Sequence, residues 1–384
     1  MFYRRVGDVP RKRHTIHRDA AGNRLLEELV GTEGFSGASS LLYHRRSPSA
    51  LVEVEPFLDE RPRLVPNDPV APFHVATAEL AKEGDAVLDR RLVAGNEDVR
   101  LCVARSRGSS GLYRDAAGDE LVYVQSGHAT LESSFGSLRV RPGDYVVVPT
   151  GVTHRWVVDH GPLELLVLET SGHVRPPGRY VTARGQFLEQ APYCERDVRV
   201  PEAPLLVDDD GPVDVLVRTR DGLSRHGHAS HPFDVVGWDG CVYPWALSIH
   251  DFEPIVGSLH QPPHVHQTFE GPQCVVCSFV PRPFDFHPEA VKVPYHHSNV
   301  DSDEVIFYSS GNFMSRAGSG VGVGSLTVHP AGFVHGPQPG SFERSVDATR
   351  TEEVAVMLDT FRPLLIAEDI RSHFDPAYLT SWNR

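Results

Sequence analysis

A glutamate and a histidine recur at similar spacing in each half of the 384-residue chain. Glu120 precedes His154 by 34 positions, and Glu304 precedes His335 by 31. Both histidines close a G-x5-P-x-G-x2-H pattern, which reads GDYVVVPTGVTH in the first copy and GSLTVHPAGFVH in the second. A carboxylate and an imidazole are common ligands of zinc and iron. The repeat therefore predicts one structural unit built twice, with a candidate metal site in each copy.

Short runs of β-branched residues, separated by turn residues, must position these side chains. From Leu92 onward they include VRLCVARS and ELVYVQSG, and a second block runs from PVDVLVRT to EEVAVMLDT. Such spacing is typical of antiparallel sandwiches and barrels, and the 33 glycines and 31 prolines favour short strands. We expect a mainly β protein with few short helices, at residues 24–30 and 363–372. The Pro-, Gly- and Arg-rich stretch 171–210 is the expected connector.

The two repeated patterns resemble the paired motifs of the cupin superfamily. This resemblance implies a bicupin, in which two double-stranded β-helix barrels of the jelly-roll kind follow one another. The Pro-Gly turn would join two strands, so that the histidine points into the barrel and meets the glutamate there. We place the N-terminal cupin-bearing domain at residues 1–175 and the C-terminal cupin domain at residues 176–384.

The cupin resemblance also selects a third side chain in the second copy. The first motif of the superfamily usually reads H-x-H-x3-4-E, and counting back from Glu304 gives His297 and Asn299. His296 is excluded because neighbouring side chains on an extended chain point in opposite directions. Two imidazoles and one carboxylate, here His297, Glu304 and His335, are the ligand set of non-haem Fe(II) oxygenases. We therefore predict an Fe(II) site in the second domain.

The first copy lacks both histidines of that motif. Tyr113 and Asp115 stand at the corresponding positions before Glu120. We therefore expect the first barrel to be structural, with a vestigial metal site.

Two other clusters of potential metal ligands are more simply explained without a metal. RHGHASH contains His226, His228 and His231, but its Gly and Ser neighbours favour a solvated loop over a zinc site that would lack a fourth ligand. Cys274 and Cys277 lie in the strand-like run QCVVCSFV, where residues three apart point to opposite faces. We expect these two thiols to pack in the core and not to share a metal.

Longer strings resemble the homogentisate 1,2-dioxygenase family, in particular its shorter bacterial form. They run from near residue 31 to about residue 340 and lie outside the generic cupin motifs: GTEGFSGASSLLYH, HPFDVVGWDG, HDFEPIVGSLH, VHQTFEG, FVPRPFDFHPEA, VPYHHSNVDSDEVIFY, GNFMSR and HPAGFVHGPQPG. The resemblance implies an Fe(II) enzyme of tyrosine and phenylalanine catabolism. Such an enzyme opens the ring of homogentisate with O2 to give 4-maleylacetoacetate, and assembles as a trimer or hexamer.

The resemblance also implies roles for individual residues. The iron ligands fall on the three residues that the motif spacing selects: His297, Glu304 and His335. His266 matches the active-site histidine that hydrogen-bonds the substrate and takes its phenolic proton. Tyr295 and His329 match pocket residues that assist the substrate or oxygen.

The residues by themselves do not decide which histidine is the catalytic base or which arginine binds the substrate. His260, His264 and His266 lie close together before the metal motif, and any of them could be the base because an imidazole has an ordinary pKa of about 6.5. Arg282 and Arg316 are both candidates to bind the carboxylate of the substrate.

The chain departs from the family pattern at three positions. His296 stands where an asparagine is expected, Gln338 where a histidine is frequent, and Phe313 where longer enzymes have a tyrosine. These departures leave open a related dioxygenase acting on gentisate or another substituted hydroquinone, although Asn299 argues against the three-histidine pattern of gentisate enzymes. A metal-dependent sugar isomerase and a non-catalytic bicupin binding protein are further alternatives. The complete triad weighs against the last.

The composition of the chain excludes some classes of partner and indicates the cellular compartment. The formal net charge is −14, which argues against nucleic acid and anionic membrane as partners. Five cysteines are few and odd in number, which favours reduced thiols in the cytoplasm. We expect a cytoplasmic protein that binds a small aromatic substrate and O2.

Overall fold

The computed structural model describes residues 1–57, 61–209, 211–219 and 222–383, and β-strands are its main regular elements. The fold is mainly β and has the two barrels of a bicupin. The few helices are short. The α-helices of the described residues are α1 (Thr77–Leu80) and α2 (Ser341–Ser345). Short 3-10 helices lie at Glu33–Phe35, Gly178–Tyr180, Ile249–Asp251, Pro263–His266, Met314–Arg316, Glu368–His373 and Ser381–Asn383.

A four-stranded sheet packs against the first barrel. Its strands in spatial order are β1 (Arg4–Gly7), β17 (Val235–Gly240), β3 (Ser39–His44) and β2 (Leu26–Gly31). The helix expected at residues 24–30 is wrong, because LEELVG forms β2 and pairs along its length with β3. Pairing with a neighbouring strand outweighs the helix propensity of Leu and Glu.

The first barrel is formed by a large, strongly bent sheet around a long central strand. β10 (Glu120–Ser133) pairs with both β12 (Asp144–Val148) and β13 (His154–Thr170). The other strands of this sheet in the described residues are β4 (Leu51–Phe57), β5 (Leu64–Pro66), β7 (Arg91–Gly95), β8 (Val99–Ser106), β9 (Leu112–Asp115), β11 (Gly136–Val140), β14 (Val198–Arg199), β15 (Val213–Thr219), β16 (Gly222–His228), β18 (Trp245–Ser248) and β26 (Leu365–Ala367).

The second barrel is built on a six-stranded sheet. Its strands in spatial order are β19 (Gln267–Gly271), β20 (Cys274–Phe279), β25 (Val354–Thr360), β22 (Asp303–Ser310), β23 (Ser325–His329) and β6 (Phe73–Ala76). A small ladder of β21 (Arg282–Pro283) and β24 (Arg350–Thr351) lies beside it. The helix expected at residues 363–372 is largely wrong, because the segment first forms β26 and only then a short 3-10 helix, Glu368–His373.

Strands from both halves of the chain share each barrel sheet. β6 pairs with β23 in the second barrel, whereas β18 pairs with β12 and β26 pairs with β7 in the first. A boundary between residues 175 and 176 therefore does not separate the strands of the two sheets. The division of the chain into two domains at that point stays a prediction.

The RHGHASH segment differs from the expected solvated loop. Its first residues belong to β16, which pairs with β15 on one side and with β4 on the other. His226 and His228 are half-buried and His231 is buried. The loop interpretation is therefore wrong, because pairing on both sides makes β16 an inner strand of the large sheet.

The cysteine pair lies as the strand period predicts. Cys274 packs in the main hydrophobic core, and Cys277 packs in a smaller cluster inside the second barrel. All the cysteines are free thiols. Within the described ranges, no helix has the length and apolar character needed to cross a bilayer.

Candidate metal centre

The second copy of the repeat brings His297, Glu304 and His335 together. Glu304 lies on β22, and His335 follows the Pro-Gly turn after β23. His297 lies before β22 and exchanges two backbone hydrogen bonds with His335, of 2.8 and 2.9 Å. One side-chain donor atom from each of the three residues lies within 4.8 Å of the others. Such a cluster fits around one ion, since metal bonds to nitrogen and oxygen are about 2 Å long.

Hydrogen bonds select which nitrogen each histidine can offer to a metal. Nδ1 of His297 donates to the carbonyl oxygen of Tyr295 at 3.1 Å, and Nδ1 of His335 donates to that of Phe333 at 3.0 Å. Both Nε2 atoms then face Glu304, at 3.5 Å for His297 and 3.1 Å for His335. Metal-binding histidines commonly use their second nitrogen in this way, because the bond fixes both tautomer and ring orientation.

Glu304 is held as a carboxylate although it is buried. Burial alone would raise the pKa of Glu304, but hydrogen bonds from His297, His329 and His335 hold that pKa well below its ordinary range. The hydrogen bond to Glu304 in turn raises the pKa of His297. The site therefore presents a negative charge between imidazoles, which is what a divalent cation requires.

His329 lies directly beneath Glu304. The His329 ring is fully buried, and its Nδ1 lies 2.8 Å from Oε1 of Glu304. Its Nε2 lies 2.8 Å from the hydroxyl of Tyr378, in the C-terminal tail. Burial lowers the pKa of His329 to about 4, so the ring is neutral at pH 7. A neutral ring that donates from Nδ1 to Glu304 accepts a hydrogen bond from Tyr378 at Nε2. The predicted role of His329 toward substrate or oxygen stays a prediction.

A second carboxylate lies beside the triad. Asp359 on β25 is the cross-strand neighbour of Glu304, and Nδ2 of Asn299 donates to it at 3.1 Å. Burial and the charge of Glu304 raise the pKa of Asp359 to about 7. Asn299, at the position of the missing motif histidine, thus binds a neighbouring carboxylate.

His266 is the most enclosed of the three candidate bases. It ends the turn Pro263–His266, and its ring packs against Phe279 at 4.8 Å between centroids. Burial, together with the charge of Arg282, lowers the pKa of His266 to about 3. His260 instead is exposed and bonds Asp285 at 2.7 Å. His266 is therefore a neutral imidazole at the barrel wall, and within the described residues it makes no hydrogen bond or ion pair with the triad.

Tyr295 contributes its backbone to the site. Its carbonyl oxygen orients His297, while the side chain is 56% exposed and packs edge-on against His260 at 5.1 Å. The predicted contact of Tyr295 with substrate or oxygen stays a prediction.

The interior of the second barrel has an apolar wall and one buried cation. The wall is formed by Cys277, Ile306, Tyr308, Phe313, Ala355 and Met357. Arg316 is buried beside it, donating from Nε to the Tyr308 hydroxyl at 3.0 Å and from Nη1 to the carbonyl oxygen of Gly336 at 2.7 Å. Its guanidinium also lies over the ring of Trp382. No carboxylate of the described chain forms an ion pair with Arg316, whereas Arg282 lies 3.5 Å from Glu353.

The first copy of the repeat has the same frame with different side chains. Tyr113 pairs with His154 as His297 pairs with His335. The guanidinium of Arg90 hydrogen-bonds Glu120 and reaches Glu169 at 3.1 Å. Nε2 of His154 is left 3.6 Å from Glu120. Arg61 also hydrogen-bonds both oxygens of Glu169, so two arginines neutralise the two carboxylates here.

Reasoning from sequence missed the C-terminal contribution to the site. Tyr378 and Trp382 reach His329 and Arg316 from a tail that carries no motif. The aromatic residues of the tail were a weak signal, because nothing in their spacing connects them with the triad.

Comparison with known proteins relates the chain to dioxygenases. Residues 73–249 match the family described as "Homogentisate 1,2-dioxygenase N-terminal". The protein named "Putative dioxygenase SSO1533" from Saccharolobus solfataricus is 38% identical over 386 residues, covering 100% of this chain and 99% of that protein. The homogentisate 1,2-dioxygenase of Emericella nidulans is 26% identical over 293 residues, covering 70% of this chain and 63% of that enzyme. This chain therefore matches less than two thirds of the length of that enzyme.

Among solved structures, a "Cupin 2 conserved barrel domain protein from Leptotrichia buccalis" aligns with 75% of this chain and 96% of its own. Its sequence identity is 9% and the TM-score is 0.36.

Proposed function

The chain belongs to the homogentisate 1,2-dioxygenase-like family of cupin proteins, and from that membership we propose that it is an Fe(II)-dependent dioxygenase that opens the ring of homogentisate. The single observation that carries the proposal is the triad His297, Glu304 and His335, with both Nε2 atoms turned to one buried carboxylate. Two imidazoles and one carboxylate leave other coordination positions open on the same ion.

The donor set fits ferrous iron. His297, Glu304 and His335 would hold it, and the backbone carbonyls of Tyr295 and Phe333 keep the two rings in the required orientation. When bound, iron supplies electron transfer between an aromatic diol and O2. The chain itself supplies binding, orientation and the handling of protons.

The burial of Arg316 favours the proposal that the substrate is aromatic and carries a carboxylate. A buried guanidinium without an ion pair is costly, and a substrate carboxylate would provide its missing partner through charge-assisted hydrogen bonds. The apolar wall of the second barrel would pack against the face of the ring. Homogentisate has both features, an aromatic ring and an acetate arm.

His266 would handle the phenolic proton. Because burial holds its pKa near 3, the ring is neutral at pH 7 and has a nitrogen lone pair available to accept a hydrogen bond from the phenol. So low a pKa makes His266 a weak base, which favours orientation and transient proton transfer over stable protonation. In the overall reaction both atoms of O2 enter the product, 4-maleylacetoacetate.

This activity belongs to tyrosine and phenylalanine catabolism. A trimeric or hexameric assembly in the cytoplasm forms part of the same proposal.

Oxygen consumption tests the proposal directly. The protein is loaded with Fe(II) under anaerobic conditions, and homogentisate, gentisate or hydroquinone is then added with O2. We expect one O2 consumed for each homogentisate, together with the ultraviolet band of the ring-opened product. Glu304→Gln should lose both iron and oxygen consumption.

The first barrel provides the matched control. His154→Ala removes the histidine at the position that His335 occupies in the second copy, and it should leave iron content and turnover near the wild-type values. Full activity of Glu304→Gln would contradict the triad. Preference for gentisate or hydroquinone over homogentisate would contradict the substrate but keep the ring-cleaving dioxygenase.

A further inference from the structure

The connector of residues 171–210 runs along the strand that follows His266. Arg175 exchanges two backbone hydrogen bonds with Glu270 of β19, of 3.0 and 2.9 Å. β19 is the outermost strand at one end of the six-stranded sheet, so the connector covers part of an otherwise unpaired edge. The connector thus lies beside the point where the chain passes from His266 into the second barrel.

Arg179 in this connector bonds the chain on both sides of His266. Its Nη2 donates to the carbonyl oxygen of His264 at 2.5 Å, and its Nη1 donates to the side-chain oxygen of Gln267, which is buried. Nη2 also donates to the Tyr180 hydroxyl at 3.2 Å, and that hydroxyl donates to the backbone carbonyl of Gln267 at 2.9 Å. A guanidinium presents its donors in a rigid fork, so these bonds fix His264 relative to Gln267.

A chain of buried hydroxyls holds the backbone of His266 from within the core. Oγ1 of Thr268 donates to the carbonyl oxygen of His266 at 3.2 Å. The same hydroxyl lies 2.6 Å from Oγ of Ser278, which lies 2.8 Å from the hydroxyl of Tyr145 on β12 of the first barrel. These three side chains are fully buried. The carbonyl of His266 is therefore tied to both barrels.

The turn that carries His266 needs this support. Pro263–His266 is a 3-10 helix of four residues with no side-chain cap, and so short a helix has little stability of its own. The hydroxyl chain fixes one backbone atom of His266, whereas Arg179 fixes the residues on either side of it. The direction in which the imidazole leaves the backbone is therefore set by Arg179 as well as by the core.

We propose that Arg179 is a positioning residue that acts on the substrate through His266. By joining His264 to Gln267, it holds the imidazole where it accepts a hydrogen bond from the phenol. This inference rests on the proposed function, because His266 meets a phenolic substrate only there. A misplacement of about 1 Å can cost about 100-fold in rate, so loss of Arg179 should lower kcat roughly 10- to 100-fold. KM should change little, since iron and Arg316 would still bind the substrate.

A double-mutant cycle of Arg179 and His266 tests this role. Oxygen consumption gives kcat and KM for homogentisate with wild type, Arg179→Gln, His266→Gln and the double variant. We expect Arg179→Gln to lower kcat at unchanged iron content. The double variant should match His266→Gln, because Arg179 then has no ring to position. Arg179→Lys keeps a charged donor and should lie between wild type and Arg179→Gln; it replaces Arg179→Gln in the cycle if that variant does not fold.

Arg175→Gln is the matched control on the same connector. The Arg175 side chain forms an exposed pair with Glu270 at 2.8 Å, and its backbone bonds to β19 do not need the side chain, so kcat should stay at the wild-type value. Wild-type kcat in a folded Arg179→Gln variant would overturn the proposal. Additive losses of Arg179→Gln and His266→Gln in the double variant would overturn it as well.

A second measurement separates this proposal from the proposed function. If wild type does not consume O2 with homogentisate, the proposed function fails, and the 15N signals of the histidine rings then decide the role of Arg179 alone. The His266 signal, assigned with His266→Gln, should move in Arg179→Gln and stay in place in Arg175→Gln. An unchanged His266 signal in Arg179→Gln would show that Arg179 does not position the ring.

Discussion

At the scale of single residues, the metal centre depends on hydrogen bonds that orient each ligand. The backbone carbonyls of Tyr295 and Phe333 occupy Nδ1 of His297 and His335, which leaves both Nε2 atoms for a metal. Within the described residues, the Glu304 carboxylate is bonded by histidine side chains and by no backbone group. Its position is set by His329, which is itself held by the hydroxyl of Tyr378. Tyr378 is therefore a positioning residue that acts on the carboxylate through an imidazole.

Replacing Tyr378 by phenylalanine tests this chain of contacts. The change removes one hydroxyl from a buried nitrogen, so His329 loses the partner that selects its tautomer. Loss of such an outer partner lowers metal affinity by about 10- to 100-fold in other sites, and we expect about 10-fold here. The measurement is the dissociation constant of Co(II) or Fe(II), taken under anaerobic conditions.

Tyr295→Phe is the control for the loss of a tyrosine hydroxyl. Its side chain is exposed and only its backbone orients His297, so metal affinity should not change. Equal affinities of wild type and Tyr378→Phe would show that the tail does not position Glu304.

At the scale of structural elements, the same strand pairing is used twice with different chemistry. In the second barrel the cross-strand neighbours of Glu304 are His329 and Asp359. In the first barrel the neighbours of Glu120 are Val148 and Glu169. Two carboxylates side by side on buried strands require cations, and Arg90 and Arg61 provide them in the first barrel.

Arg90→Met should therefore destabilise the first barrel. It leaves Glu120 buried with no opposite charge at hydrogen-bonding distance, since His154 is 3.6 Å away and a neutral ring. Removing one member of a buried ion pair costs about 3–5 kcal/mol, and we expect a loss of that size in thermal or urea unfolding. Arg107→Met, in an exposed pair with Glu83, should change the Tm little. Similar small shifts for both variants would contradict a structural role of Arg90.

His44, on β3 of the four-stranded sheet, should make the stability of the fold depend on pH. Its pKa is about 9 in the folded protein against about 6.5 in an unfolded chain. The raised pKa stabilises the fold fully below pH 6.5, and this contribution of at most about 3 kcal/mol is lost as the pH rises through 9. We expect the Tm of wild type to fall more between pH 6 and pH 9.5 than that of His44→Gln. Parallel pH profiles of the two proteins would count against the assignment.

At the scale of the whole molecule, the two barrels exchange strands and share buried contacts. β6 from the first half completes the sheet of the second barrel, and β18 and β26 from the second half complete the first. The hydroxyls of Tyr123 and Tyr145 bond those of Ser309 and Ser278, at 2.7 and 2.8 Å. The barrels therefore depend on each other for edge pairing and for satisfied buried hydroxyls.

Fragments 1–175 and 176–384 test this dependence. Each fragment exposes a strand edge that the other covers in the full chain, so neither should unfold cooperatively when it is expressed alone. Co-expression should restore a complex with strand content and Tm close to those of the intact chain. Circular dichroism and size-exclusion chromatography measure both properties. Cooperative unfolding of an isolated fragment near the Tm of the full chain would show that the halves fold independently.

Local spacing, together with the resemblance to the cupin motifs, was sufficient to predict the repeated barrels and the cluster of His297, Glu304 and His335. The two-residue strand period, the Pro-Gly turn and the order of ligands along the chain are properties of short segments. Because these properties depend only on neighbouring residues, they are the same in the sequence and in the folded protein. The same local reasoning failed at residues 24–30 and at RHGHASH, because strand pairing with distant segments decides the conformation there.

Tertiary structure alone decided what surrounds those ligands. Tyr378 follows His329 by 49 positions, and Arg90 precedes Glu120 by 30, with no pattern joining either pair. The order in which strands join a sheet brings them together, and that order is set by the packing of the whole core. Sequence therefore determined which residues could bind a metal. The fold decided which neighbours hold Glu304 in place and which arginines pair with the carboxylates of the first barrel.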